Sequence, residues 1–407
     1  MTVVRLRHLA QVNPATPAFD RLHDNDEVTF LPMEVIWPDN RLDISQRRVK
    51  ASVSTGYTRF QDGDVLVPKI TPTFEAARSV LINGLYCGVG AGTTELHVLR
   101  PKSEVDARFL LYVTNTHGFL KLGKAEMYGV AGQQRVPDEF IRDYAVELPS
   151  LTAQRRIADF LDTETARIDK LADARKEQVK LMTERLDAIR NELFTDSPNY
   201  TPTPLMHLTD PTRPIVYGIV QAGPEIQDGI PYIKTGDLEN LRINSLSRTS
   251  REIHNQYKRA AVHPGDIVMA MRASIGAVAL VPDDIPEANL TQGTARIAAR
   301  QGIDRRWLLQ ALQARSVQEQ CQVRAVGSTF RTLNIWDLRR VVINVSPERT
   351  RDQQLDYLES SLARHRAITS SAVKQGVLLA ERRQALITAA VTGQFDVSTA
   401  SGRGVTE

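Results

Sequence analysis

The chain has 407 residues and only two cysteines, Cys87 and Cys321. They lie far apart and offer neither metal-ligand spacing nor a disulfide framework, so a reducing cytoplasm is the expected compartment. No apolar run approaches the roughly 18 residues of a membrane span. The opening stretch MTVVRLRHLAQVNPATP lacks the apolar core and small-residue cleavage site of a secretory signal. A Gly-x4-Gly-Lys-Ser/Thr phosphate loop is missing, which excludes ATP-driven work by this chain. GVGAG at 88–92 lacks dinucleotide-binding spacing and reads as a loop joining strands. No Asn/Asp-Pro-Pro-Tyr stretch for adenine methylation occurs, and SPNY at 197–200 has the wrong order. PDDIPEAN at 282–289 gathers acids without the Glu-x-Lys partner of a metal-dependent nuclease, and reads as a surface loop. The eight histidines are scattered, without the i, i+4 spacing of a helical metal site.

With 42% hydrophobic and 24% charged residues, the remainder is ordinary globular material. Its length exceeds that of a single core, so two or more domains are expected. Acids and bases nearly balance over residues 1–150, whereas residues 201–345 are basic. Nine arginines (Arg296, Arg300, Arg305, Arg306, Arg315, Arg324, Arg331, Arg339 and Arg340) fall within 296–340 beside three acids. Such a cluster is either a phosphate-binding footprint or a solvated helix face.

A repeat organises the chain. AERRQALITAAVTG at 380–393 echoes TERLDAIRNELFTD at 183–196. Around the first copy, Ile157, Phe160, Leu161, Ile168, Leu171, Val179, Met182, Leu186, Ile189 and Leu193 keep a 3.5 to 3.6 period. Around the second, Leu355, Leu358, Leu362, Ile368, Ala372, Leu379 and Leu386 form a similar stripe. Both predict long amphipathic helices, with Pro149 and Pro347 just ahead and Gly393 as the C-terminal stop of the second. The flanks correspond too. YTRFQDGDVLVPKI at 57–70 parallels YKRAAVHPGDIVMAMR at 257–272, each with a Gly-Asp turn before a β-rich run. MYGVAGQQRVPDEFIRDYAVELP parallels AVGSTFRTLNIWDLRRVVINVSP, with Gly129 matching Gly327. Tyr57 and Tyr257 occupy matching positions and are expected to pack at strand starts. The order is domain, helix, domain, helix, with a Pro-rich joint at 195–204. If the second helix runs back along the first, both stripes are buried and a pseudo-twofold object results.

The helices, above all ERRQALITAAVTGQFDV and LPSLTAQRRIADFLD, resemble the conserved regions of the specificity subunit of type I restriction-modification systems. The resemblance covers nearly the whole chain. DVLVPKITPTFE, GTTELHVL and AGQQRVP are similar to one version of that family's target-recognition domain; YGIVQAGPEIQDGIPYIKTGDL and GSTFRTLNI are similar to another. It implies an α+β chain with two mixed α/β target-recognition domains separated by two long helices in an antiparallel coiled coil. The boundaries expected are 1–148 and 196–345 for the recognition domains, 149–195 and 346–396 for the spacer helices, and 397–407 for a flexible tail. The resemblance also implies a non-catalytic subunit that binds double-stranded DNA and recruits two adenine methyltransferase subunits and restriction/translocase subunits. S-adenosylmethionine, ATP and magnesium would then sit on those partners only, with no cofactor or metal on this chain.

DNA contacts are expected where donors sit at loop or helix ends. In the first domain these are Lys69 and Thr71 of PKITP with Gln133, Gln134 and Arg135 of GQQRVP. Glutamine can pair bidentately with adenine, and arginine with guanine or phosphate. The alternative is that the glutamines cap a turn before Pro137. In the second domain the candidates are Lys234, Arg272, Ser274, Arg324, Ser328, Thr329 and Arg331. Gly327 and Ser328 permit close backbone approach, which suits a phosphate and equally a tight turn. Two other classes remain open: a stand-alone bipartite DNA-binding regulator, and a coiled-coil scaffold that binds protein. Steep salt dependence of binding would favour DNA.

Overall fold

The computed structural model describes residues 2–397 apart from 131, 196, 329 and 330. It divides into two units: residues up to Arg175 together with Val373 onward, and Lys176–Ala372. Each long helix, Leu151–Leu193 and Glu348–Val391, therefore contributes one half to each unit.

In the first unit, Thr2–Arg5 pairs antiparallel with Ala145–Leu148, closing the globular part just ahead of the first long helix. One four-stranded sheet runs in the order Ala10–Val12, Leu96–Pro101, Val65–Pro68, Val80–Leu81. A second has the order Arg47–Val49, Glu27–Leu31, Val89–Gly92, Thr58–Gln61, with Glu27–Leu31 and Val89–Gly92 parallel. Val65–Pro68 is buried along its whole length, as its unbroken apolar run requires. The GVGAG segment departs from the expected loop, because Val89–Gly92 is itself a buried strand. A Cβ at Gly90 would lie 2.4 Å from the Phe60 ring, and one at Gly92 2.4 Å from the Leu31 carbonyl oxygen. Glycine here serves close strand approach, which short-range punctuation rules mistake for a turn. The helix Ala107–Thr114 is capped by Asp106, which accepts from the Arg108 and Phe109 N–H groups. Thr116 caps His117–Ala125 in the same way.

The second unit repeats this plan. Thr201–Pro204 pairs with Val342–Val345. Val278–Leu280, Ile267–Ala270 and Thr294–Ile297 form one sheet; Arg248–Thr249, Ile230–Ile233 and Asn289–Leu290 form another, again with a parallel pair. Asp304 caps Arg305–Gln313, and Arg315–Arg324 follows. The two Gly-Asp turns match in detail. Gly63 and Gly265 have φ of +88° and +87°, and the buried Asp64 and Asp266 each accept from a backbone N–H three residues back. Each carboxylate also takes a two-point ion pair, from Arg100 and Arg213 respectively. Tyr57 packs edge-on against Phe30, the expected packing role.

Within each unit the helix halves pair antiparallel. Ile157, Ala158 and Leu161 share a core with Ile387, Ala390 and Val391, while Asp169 pairs further along with Arg383. In the second unit Phe194 and Leu358 join one core, and Thr183 meets His365 at 3.0 Å. Leu171, placed on the stripe by its period, is 48% exposed. A two-helix pair covers only a narrow seam, and stripe positions away from the globular cores receive partial cover. The second helix ends at Val391, with Gly393 at φ +71° and the Phe395 N–H bonded to the Ala389 carbonyl.

A glutamine near the start of each long helix fastens it to its globular part. Gln154 accepts from the Asp106 N–H and donates to the Glu104 and Pro149 carbonyls. Gln354 accepts from Trp307 Nε1 and Ser346 Oγ and donates to the Leu193 carbonyl and the Tyr200 hydroxyl. No helix among the described residues is long and apolar enough to cross a membrane. Cys87 and Cys321 are free thiols, the first exposed and the second buried.

Candidate nucleic-acid interface

In the first unit, residues 128–130 and 132–135 form the two arms of a hairpin that lies along the chain leaving the strand Val65–Pro68. The Tyr128 and Arg135 backbones exchange hydrogen bonds of 3.2 and 2.9 Å, and Gln133 N–H closes the tip on the Val130 carbonyl. Arg135 also bridges to Ile70. Thr71 N–H donates to the Gln134 carbonyl at 2.9 Å, Gln134 N–H to Thr71 Oγ1 at 3.2 Å, and Val136 N–H to the Lys69 carbonyl at 2.9 Å. Lys69, Thr71, Gln133, Gln134 and Arg135 are thus gathered on one rim. Gly129 is required there: its φ is +124°, and an added Cβ would lie 2.9 Å from the Gln133 carbonyl oxygen. Tyr128 and Val130 stand out from the hairpin, 63% and 79% exposed, although the sequence pattern did not single them out.

Arg135 is held by Glu95, from the turn before the strand Leu96–Pro101. Its Nε donates to Oε2 at 2.9 Å and its Nη2 to Oε1 at 2.7 Å, while Nη1 reaches the Gln133 carbonyl at 3.3 Å. The hydrogen bonds and charge of Glu95 hold the guanidinium protonated more firmly than usual. Beneath the rim lies His97, with Nε2 3.0 Å from the Val136 carbonyl and Nδ1 3.1 Å from Asp138. Burial pushes its imidazole down to about 4 from the ordinary 6.5.

The second unit builds the corresponding feature. Val326 and Thr332 exchange backbone bonds, Thr332 bridges to Arg272, and Leu333 N–H donates to the Met271 carbonyl. Arg272, Ser274, Ser328 and Arg331 are exposed on this hairpin and on the turn it packs against. Thr329 lies outside the described residues. Arg331 donates to the carbonyls of Gln322 and Ala325, and Arg324 at the helix end donates to Gln320. Arg272 Nη1 lies 3.4 Å from Gln292 Oε1. Lys234 is on a separate element, with Nζ 2.7 Å from Ser247 Oγ. Its neighbour Thr235 bonds the Gly293 carbonyl, the same group that receives Met271 N–H, so that segment is tied to the chain just ahead of Arg272.

The arginine run at 296–340 does not form one surface. Arg296 is buried and donates to the Ala261 and Pro214 carbonyls; Arg306 pairs with Asp304 and Glu359, and Arg315 with Glu319. Arg340 lies 3.8 Å over the exposed ring of Trp336. Proximity in sequence carries these residues across a strand and three helices that face different ways. Glu95 and Gln292 were missed for another reason. Each sits in the turn before the matching strand of its half, a correspondence visible only once the two halves are laid over each other by topology. Among the described residues no group of three or more His, Cys, Asp or Glu is placed to hold a metal ion.

Two mixed domains of one plan, each with a donor-rich hairpin and each fastened to long paired helices, define a duplicated recognition scaffold. Residues 43–181 and 224–370 match the family Type I restriction modification DNA specificity domain. These stretches make up more than half of the chain, and the chain belongs to that family. It is 40% identical over 158 residues to the Type I restriction enzyme EcoEI specificity subunit of Escherichia coli, covering 38% of this chain and 26% of that protein. It is 29% identical over 230 residues to the EcoBI specificity subunit of the same organism, covering 50% and 48%. The chain thus spans between about a quarter and about half of the length of these relatives. A solved chain from work on the complex assembly and conformational transition of the type I R-M system superimposes with a TM-score of 0.76 at 18% identity, covering 97% of this chain and 98% of that one. The HsdS subunit from Thermoanaerobacter tengcongensis gives 0.55 at 17% identity, covering 97% of each chain. At such identities the likeness concerns the fold.

Proposed function

We infer that this chain is the DNA-recognition subunit of a type I restriction-modification complex and reads a bipartite duplex target, one half-site per globular domain. The observation that supports this most is the recurrence of one backbone arrangement, Tyr128 and Arg135 beside Ile70 and Val326 and Thr332 beside Arg272, in two units of similar plan. Duplicated readers suit a target in two parts. The rim chemistry of amides, hydroxyls and guanidinium groups suits base edges and phosphates.

On this reading the long helices set the gap between half-sites. Their matching faces receive two adenine-N6 methyltransferase subunits, and restriction/translocase subunits join the same assembly. The chain itself is non-catalytic and works in the cytoplasm, with S-adenosylmethionine, ATP and magnesium confined to its partners. The test is a chimera in which residues 201–345 are replaced by the corresponding domain of a relative, followed by mapping of methylated adenines. One half of the methylated motif should change while the other persists. If both halves change, or neither does, the two-reader account is wrong.

A further inference from the structure

Arginine carries five N–H donors and a charge that normally draws it to phosphate. Arg135 is in a different situation. Two donors, on Nε and Nη2, are taken by the Glu95 carboxylate, and a third, on Nη1, by the Gln133 carbonyl. One donor remains on each terminal nitrogen, and the side chain is still 42% exposed. The pair as a whole carries no net charge, so its attraction for a phosphate is largely cancelled. A neutral base edge with two adjacent acceptors is the better partner. Guanine presents such an edge in the major groove through O6 and N7. The surroundings hold the fork still: Glu95 is fixed through its backbone, with its carbonyl receiving Lys69 N–H at 2.8 Å, and Gln134 and Val136 on either side of Arg135 are bonded to Thr71 and Lys69. The second unit supplies the contrast. Arg272 there meets the uncharged amide of Gln292, which leaves its charge intact.

We propose that Glu95 and Arg135 form a preassembled neutral reader of one guanine in the first half-site, with Arg135 contacting the base and Glu95 acting as its positioning residue. This rests on the DNA-recognition role inferred above. The test uses the full chain together with its methyltransferase subunits, titrated against the methylated target and against variants with each base pair of the first half-site replaced, over a range of salt. Arg135→Ala should reduce discrimination at one G·C pair by roughly 5- to 150-fold, the range expected for a bidentate contact. Arg135→Lys, which keeps the charge and stem but loses the fork, should lose discrimination at the same pair. Glu95→Gln should weaken that discrimination and steepen the dependence of log K on log salt by up to about 0.9, because a cation is released toward phosphate. A merely structural glutamate would not change the salt slope at one pair's expense. The proposal is overturned if the motif persists unchanged in Arg135→Ala, if Glu95→Gln leaves both the discrimination and the salt slope untouched, or if both arginine variants lose the whole half-site. If the unaltered complex prefers no sequence at all, the recognition role itself falls.

Discussion

Replacing Gln354 with leucine should cost more than its one-atom-scale change in shape suggests. The side chain is 3% exposed and makes four hydrogen bonds. Ser346 and Tyr200 carry hydroxyls that can rotate toward other partners. Trp307 Nε1–H and the Leu193 carbonyl have less freedom: the indole is almost fully buried, and Leu193 ends its helix with a carbonyl that has no intrahelical donor. Each orphaned buried group costs about 1–3 kcal/mol, so the substitution should remove on the order of 3 kcal/mol. For a cooperative unit of roughly 200 residues, a midpoint moves about 2–4 °C per kcal/mol. Calorimetry of the full chain should therefore show one transition lowered by about 6–12 °C. A double-mutant cycle with Trp307→Phe isolates the cause, because without the indole N–H the second substitution should cost at least about 1 kcal/mol less. A Gln354→Leu midpoint within about 2 °C of the unaltered chain would show that the buried amide does not fasten the helix, and the argument would fail.

His97 makes acid a selective stress on the first unit. The unfolded chain protonates this ring near 6.5, but the folded chain resists until about 4; the unfolded state therefore binds more protons between these values. The stabilisation is complete above pH 6.5 and is lost as the pH falls toward 4, by up to about 3 kcal/mol. Urea unfolding at about pH 7 and about pH 4.5 should show this loss, and His97→Asn should make the dependence shallower; equal slopes would assign the acid limb to other groups. A different test concerns the spacer role proposed for the helices. Inserting four residues in phase after Lys176 adds about 6 Å of helix, one to two base pairs at about 3.4 Å each. Methylome sequencing should then show a longer gap between unchanged half-sites, and a functional variant with an unaltered gap would remove the helices from that role.

The large organisation of this protein was legible in its sequence because it rests on patterns that local physics enforces. A 3.6 period that persists from Ile157 to Leu193 can be satisfied only by a helix with one buried face. The Gly-Asp turns at Gly63 and Gly265 need a positive φ that glycine alone adopts without strain, so they marked the same strand start twice. That Lys69, Thr71 and Gln133 to Arg135 sit beside turns was likewise within reach, since Pro and Gly punctuate PKITP and GQQRVP.

Other features depended on which distant segments meet. Val89–Gly92 of GVGAG forms a strand because Glu27–Leu31 and Thr58–Gln61 pair along its two edges, with Leu31 and Phe60 crowding its glycines, and no local rule encodes those neighbours. Leu171 keeps the stripe's period yet remains exposed, because burial depends on what lies opposite. The arginines at 296–340 form one cluster only in the linear chain. Arg296 turns inward to two backbone carbonyls, whereas Arg331 stays at the hairpin. The pairing of Arg135 with Glu95, forty residues away, was also decided by the tertiary fold. Periodicity and turn chemistry act over a few residues and can be read from order alone. The charge state of a surface, and hence what it can recognise, is set by contacts between elements that sequence order keeps apart.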